Sequence, residues 1–106
     1  MSDAEVGAVF AALGDDTRRR IWRVVVDDGP VTATALAGRV PVTRQAVSKH
    51  LRVLDHAGLV TADRVGRETR YVARPGSLSG AAEWIAAADA AWSDRLARLK
   101  ARAESG

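Results

Sequence analysis

The stretch VTRQAVSKHLRVLDHAGLV, residues 42–60, decides how the rest of the chain is read. Val47, Leu51 and Leu54 recur at helical spacing. With Val47 at zero on a helical wheel, Leu51 falls near 40° and Leu54 near −20°. Gln45, Ser48, Lys49, Arg52 and His56 fall between roughly 100° and 200° on the same wheel. One face of this helix is therefore apolar and the other is a contiguous surface of donors. Thr43 is placed to cap its start, and Gly58 stands where a C′ glycine would end it. The donor face carries no carboxylate between residues 43 and 54. Such a face suits an anionic partner, the alternative being a merely solvated basic surface.

Working outward, the preceding segments read as three shorter helices. Val6, Val9, Phe10 and Leu13 form a first apolar stripe that stops at Gly14. Asp15 or Asp16 can cap a second helix, TRRRIWRVVVDD, which Gly29-Pro30 ends. Of its basic run, Arg18, Arg19, Arg20 and Arg23, at least one is expected to pack along the helix or pair with Asp15 or Asp16. Thr32 can cap a third helix, TATALAGRV, with Ala33, Leu36, Ala37 and Val40 inward.

Beyond Gly58 the composition changes to β-branched and aromatic residues. LVTADRV and ETRYVA, separated by Gly66-Arg67, predict a two-stranded hairpin with Arg64, Arg67 and Arg70 near its tip. Tyr71 is assigned to the core. Pro75-Gly76-Ser77 breaks the chain, and an alanine-rich helix is expected over about residues 78–103. Trp84, Ile85, Ala88, Trp92, Leu96 and Leu99 form a stripe along it.

The chain has 106 residues, which suits a single domain, and 47% of them are hydrophobic. It contains no cysteine, which excludes disulfides, thiolate metal ligation and thiol catalysis. No secretory leader and no transmembrane stretch is evident, and a cytoplasmic location is expected. Net charge is +3, yet residues 39–74 alone hold eight Lys and Arg against three acids. The excess positive charge surrounds the opening stretch, the footprint expected of a nucleic-acid binder. No phosphate-binding glycine loop, nucleophile-base arrangement or metal-ligand cluster is visible, so no enzymatic activity, cofactor or metal is expected. His50 projects toward the apolar edge and is read as packed or phosphate-touching. His56 is read as solvated.

The order of elements is that of an α+β, mainly α, winged helix-turn-helix. Its helix-turn-helix would occupy about residues 32–57 and its wing about 59–74. The fourth helix would enter the DNA major groove with Thr43, Arg44 and Gln45 leading, followed by Ser48, Lys49 and Arg52. Arg64, Arg67 and Arg70 would reach a minor groove or the backbone.

DDTRRRIWRVV (15–25), PVTRQAVSKHLRVLDHAGLV (41–60) and VGRETRY (65–71) resemble the ArsR/SmtB-type winged-helix repressors. AAWSDRLARLKA (90–101) resembles the last helix of a branch of that family lacking thiolate metal sites. The resemblance implies a cytoplasmic homodimer that binds operator DNA and represses transcription. It also implies a dimer interface built from the first and last helices, here Val6, Val9, Phe10, Leu13, Trp84, Ile85, Ala88, Trp92, Leu96 and Leu99. The positions where the family often carries a thiolate pair are here Thr34, Ala35, Leu36 and Ala37, none of them a ligand. Two other readings stay open. One is a repressor that senses a small lipophilic effector at the dimer core. The other is an interaction module that keeps the fold without binding DNA.

Overall fold

The computed structural model describes residues 2–105. Its elements are α1 (Asp3–Leu13), α2 (Asp16–Asp28), β1 (Val31–Thr32), α3 (Ala33–Ala37), α4 (Arg44–His56), β2 (Val60–Val65), β3 (Glu68–Ala73) and α5 (Ser79–Ser105). Local chemistry sets each helix start. Ser2, Asp15, Thr32 and Thr43 are N-caps whose side-chain oxygens accept from the N–H three residues on. This satisfies donors that the first helical turn leaves unpaired. At Asp15 the Arg18 N–H, at 3.0 Å, holds the carboxyl below its ordinary pKa, with the Arg18 charge adding to the effect.

Both ends of α4 are pinned. The Thr43 hydroxyl accepts from the Ala46 N–H at 3.1 Å. At the other end, Gly58 takes a φ of +77°, a left-handed conformation that favours glycine. The Gly58 N–H donates to the Asp55 carbonyl at 3.0 Å and the Leu59 N–H to that of Leu54 at 2.9 Å. This paired closure is a Schellman motif. Leu54 and Leu59, which it brackets, are both fully buried. Thr43→Ala should destabilise the fold by about 1 kcal/mol, measured by denaturant titration, because the Ala46 N–H loses its cap.

The core lies where α4 crosses the other helices and the sheet. Ile21 and Val25 of α2, Leu36 of α3, Val47, Leu51 and Leu54 of α4, and Leu59 and Val60 meet there, with Val9 of α1 joining them. The Trp22 indole N–H reaches across to the Leu59 carbonyl at 3.1 Å, and the Arg74 N–H shares that carbonyl at 3.0 Å. α2, the end of α4 and the wing are thereby held at one point.

The two-stranded hairpin is present, and the sheet gains a short third strand in the order β1-β3-β2. Val31 and Thr32 pair antiparallel with Tyr71 and Arg70. Two residues show no alternation, so nothing in their pattern marks them as a strand. α3 is also shorter than TATALAGRV. It stops at Ala37, where the Arg39 N–H turns back to the Leu36 carbonyl at 2.9 Å, although Val40 still packs inward. Finally, Val6 and Val9 are buried within the subunit, at 7% and 1% exposure. Val9 packs in the core, while Val6 also lines the cleft that α1 forms with α5. Leu13 is half-buried against the same core. The large apolar side chain that α1 leaves outside is Phe10.

α5 is different in kind. Its 27 residues bury only Ala81. A helix of that length spans about 40 Å and runs well past the body of the domain. The radius of gyration is 18.7 Å, against about 13 Å for a compact chain of this size. Among the described residues, no helix is long and apolar enough to cross a membrane.

Candidate nucleic-acid interface

The outer face of α4 is as the wheel requires. Arg44, Gln45, Lys49 and Arg52 are exposed and Ser48 is half-buried, while Val47, Leu51 and Leu54 are enclosed. Thr43 is exposed at the helix start, its oxygen occupied with the cap. The one carboxylate of the helix, Asp55, lies in its last turn.

β2 and β3 are joined by the two-residue turn Gly66-Arg67, since Val65 pairs with Glu68. Gly66 has a φ of +62° and Arg67 a negative one, the pattern of a type II′ hairpin turn. The Arg64 Nε donates to the Gly66 carbonyl at 3.2 Å, which holds that side chain along the turn. Side chains of paired residues share a sheet face. Arg64 with Thr69, and Ala62 with Tyr71, therefore project on the side that faces the helices.

The result is a groove between helix and wing. Arg44 and Ser48 of α4 line one wall and Arg64, Arg67, Glu68 and Thr69 the other, with Thr34 at the start of α3 between them. Among the described residues, Arg44, Lys49, Arg52 and Arg67 make no ion pair, whereas Arg18, Arg19, Arg23 and Arg39 each have an aspartate within 4.0 Å. The cations of this surface thus have no carboxylate partner within 4.0 Å among the described residues, although Glu68 lines the same groove.

Arg70 departs from expectation. It alternates to the opposite face of β3, stands across from Asp63, and is held by Glu68 at 3.1 Å. Both side chains of that pair are solvent-exposed, and Arg70 does not line the groove. Sequence reasoning missed Thr34, Thr69 and the groove side of Tyr71. The alternation of β3 would have placed Thr69 and Tyr71 on the side of Arg64. Tyr71 does pack against the core, as expected, while also lining the groove.

The remaining candidates lie elsewhere. Phe10 and Trp84 meet edge to face with ring centroids 5.7 Å apart, joining α1 to the start of α5. Trp84, Ile85, Trp92, Leu96 and Leu99 stay 46–55% exposed. Ala88 lies exposed on the same helix. His56 is exposed, and His50 is half-buried beside Arg18. Among the described residues, no three His, Asp or Glu side chains gather as a metal site.

A helix-turn-helix domain family matches residues 13–62. The HTH-type transcriptional regulator YuzN of Bacillus subtilis is 44% identical over 66 residues, covering 57% of this chain and 72% of that protein. Among solved structures, an ArsR-like transcriptional regulator from Rhodococcus sp. RHA1 superimposes with a TM-score of 0.80 at 43% identity. That match covers 92% of this chain and 91% of the other. A homodimeric winged helix-turn-helix DNA-binding domain from Mycobacterium bovis, described as a possible ArsR-family regulator, gives a TM-score of 0.66 at 25% identity. It covers 84% and 88% of the two chains.

Proposed function

Because the chain belongs to the ArsR-type winged helix-turn-helix transcriptional regulators, which bind DNA, we propose that it acts as a cytoplasmic homodimeric repressor of an inverted-repeat operator. α4 lies in the major groove and reads base edges with Gln45 and Ser48. Arg44, Lys49 and Arg52 take phosphates or guanine edges. The wing tip, through Arg64 and Arg67, follows the adjoining backbone or minor groove. α1 and α5 of two copies pair through Phe10, Trp84, Ile85, Trp92, Leu96 and Leu99. The observation that carries this reading is the groove in which Arg44 and Ser48 of α4 meet Arg64 and Arg67 of the wing. A protein that only docks to other proteins has no need of unpaired cations converging there, which weighs against the interaction-module reading.

The test is selection from a random-sequence duplex pool by the full chain, followed by footprinting of the recovered sequence. Two protected half-sites about one helical turn apart, related by inversion, are expected. Recovery of no preferred sequence would overturn the proposal.

The wing gives a sharper expectation. Arg67→Ala should weaken binding to every duplex and flatten the plot of log affinity against log salt by about 0.9 units, the loss of one phosphate contact. Arg70→Ala should leave that slope unchanged, because its side chain lies on the opposite face of β3 and does not line the groove. Anisotropy titrations over a salt series measure both.

A second reading has one observation in its favour. Asp3, Val6, Gly7, Phe10, Trp84 and Ile85 line a largely apolar cleft between α1 and α5. A lipophilic effector seated there would act on the dimer and not on α4 directly. Displacement of an environment-sensitive apolar dye, together with release of the selected duplex, tests it.

A further inference from the structure

Arg18 lies outside the groove between helix and wing, yet among the described residues its side chain alone among the cations hydrogen-bonds to both α1 and α4. Its Nε donates to the Ala12 carbonyl at 2.8 Å and its Nη2 to the Ala11 carbonyl at 3.3 Å. Both carbonyls belong to the last turn of α1, and that of Ala11 also accepts from the Gly14 N–H at 3.3 Å. The Nη1 lies 3.4 Å from His50 Nδ1 on α4 and 4.0 Å from the Asp15 carboxylate. A guanidinium only donates, so a hydrogen bond across this contact is made by the His50 tautomer that carries its hydrogen on Nε2. The Arg18 side chain is only 20% exposed, and it lines the crevice where α1 and the back of α4 approach each other. His50 projects about 60° from Val47, on the side away from Ser48. It therefore faces the body of the protein and not the groove.

From this geometry we propose that Arg18 is a positioning residue for DNA reading: through His50 it ties α4 to the C-terminal carbonyls of α1. The proposal rests on α4 being the DNA-reading helix. Base readout demands that a helix be held within a fraction of an ångström and a few degrees of its docking geometry. The hydrophobic core fixes the depth of α4. Apolar contacts are not directional, however, and leave small rotations of the helix about its axis weakly resisted. A directional contact from the end of another helix resists them. Its site on α1 matters as well: α1 is half of the proposed dimer surface, so the separation of the two α4 helices is set through the same guanidinium.

The experiment uses the full chain, the duplex it selects from a random pool, and a random duplex of equal length. Arg18→Gln and His50→Ala should each weaken binding to the selected duplex by about tenfold, the scale of one hydrogen bond to a charged group. Affinity for the random duplex and the dimer association constant should stay unchanged. The double variant should lose no more than either single variant. His50→Gln, whose amide oxygen can accept from Arg18, should recover most of the loss. A merely structural role would lower the melting temperature without moving the ratio of selected to random affinity. If Arg18→Gln fails to fold, His50→Ala decides the matter, since it leaves the α1 carbonyl contacts in place. Unchanged selectivity in His50→Ala, or additive losses in the double variant, would overturn the proposal. If α4 did not read DNA at all, Gln45→Ala and Ser48→Ala would also leave selectivity intact, which separates that failure from this one.

Discussion

Replacing Trp92 by aspartate is expected to split the dimer and to lower operator affinity with it, although residue 92 contacts no DNA in the proposed complex. Trp92 is 55% exposed in the subunit and sits in a stripe with Trp84, Leu96 and Leu99, all 46% exposed or more. A lone subunit offers nothing to cover this stripe, because α5 projects beyond the domain. Scattered exposed leucines need no explanation, but a row of large apolar side chains along one helix marks an interaction surface. A twofold pairing of α5 with its copy is self-complementary, so each stripe finds its equivalent. An unpaired carboxylate at the centre of that contact costs several kcal/mol. Sedimentation across a dilution series should show wild-type dimer and Trp92→Asp monomer at micromolar concentration. The variant should retain its fold by circular dichroism, since residue 92 lies outside the core. Operator affinity should fall because two half-sites are then bound by separate molecules. A wild-type chain that is monomeric at micromolar concentration yet binds its selected duplex tightly would refute the arrangement.

The second large effect belongs to α4. Gln45→Ala and Ser48→Ala should each cost about 1–3 kcal/mol on the selected duplex, a loss of roughly 5- to 150-fold, with little change on random DNA. Both side chains can donate and accept, which suits base edges, and neither carries a charge that phosphate would attract indiscriminately. Ser48 lines the groove between helix and wing together with Arg64 and Arg67. Gln45 lies one turn earlier, on the exposed leading end. Neither substitution removes core packing, so the melting temperature should hold. Equal losses on selected and random duplexes would mean that these two residues do not read bases.

Much of this fold is written in short-range signals. Thr43 and Gly58 bracket α4 in the sequence as they do in the structure, because caps act over three or four residues. The 3.6-residue period of Val47, Leu51 and Leu54 separates the buried from the exposed face of α4 without help from the rest of the chain. β-branched residues on either side of Gly66 mark the hairpin for the same reason, and the stripe along residues 84–99 marks an interaction helix. Three features needed the packed chain. Arg70 turns away from the groove because strand alternation meets a sheet whose inner face is chosen by the helices, and Asp63 stands across from it. Val9 shares an apolar stripe with Phe10, yet only packing in the core assigns the valine to the interior and leaves Phe10 outside. Arg18 and His50 are 32 residues apart, and no local pattern links them. Periodicity establishes that a helix or strand has two faces; which face is covered, and by what, depends on contacts between segments distant in the chain.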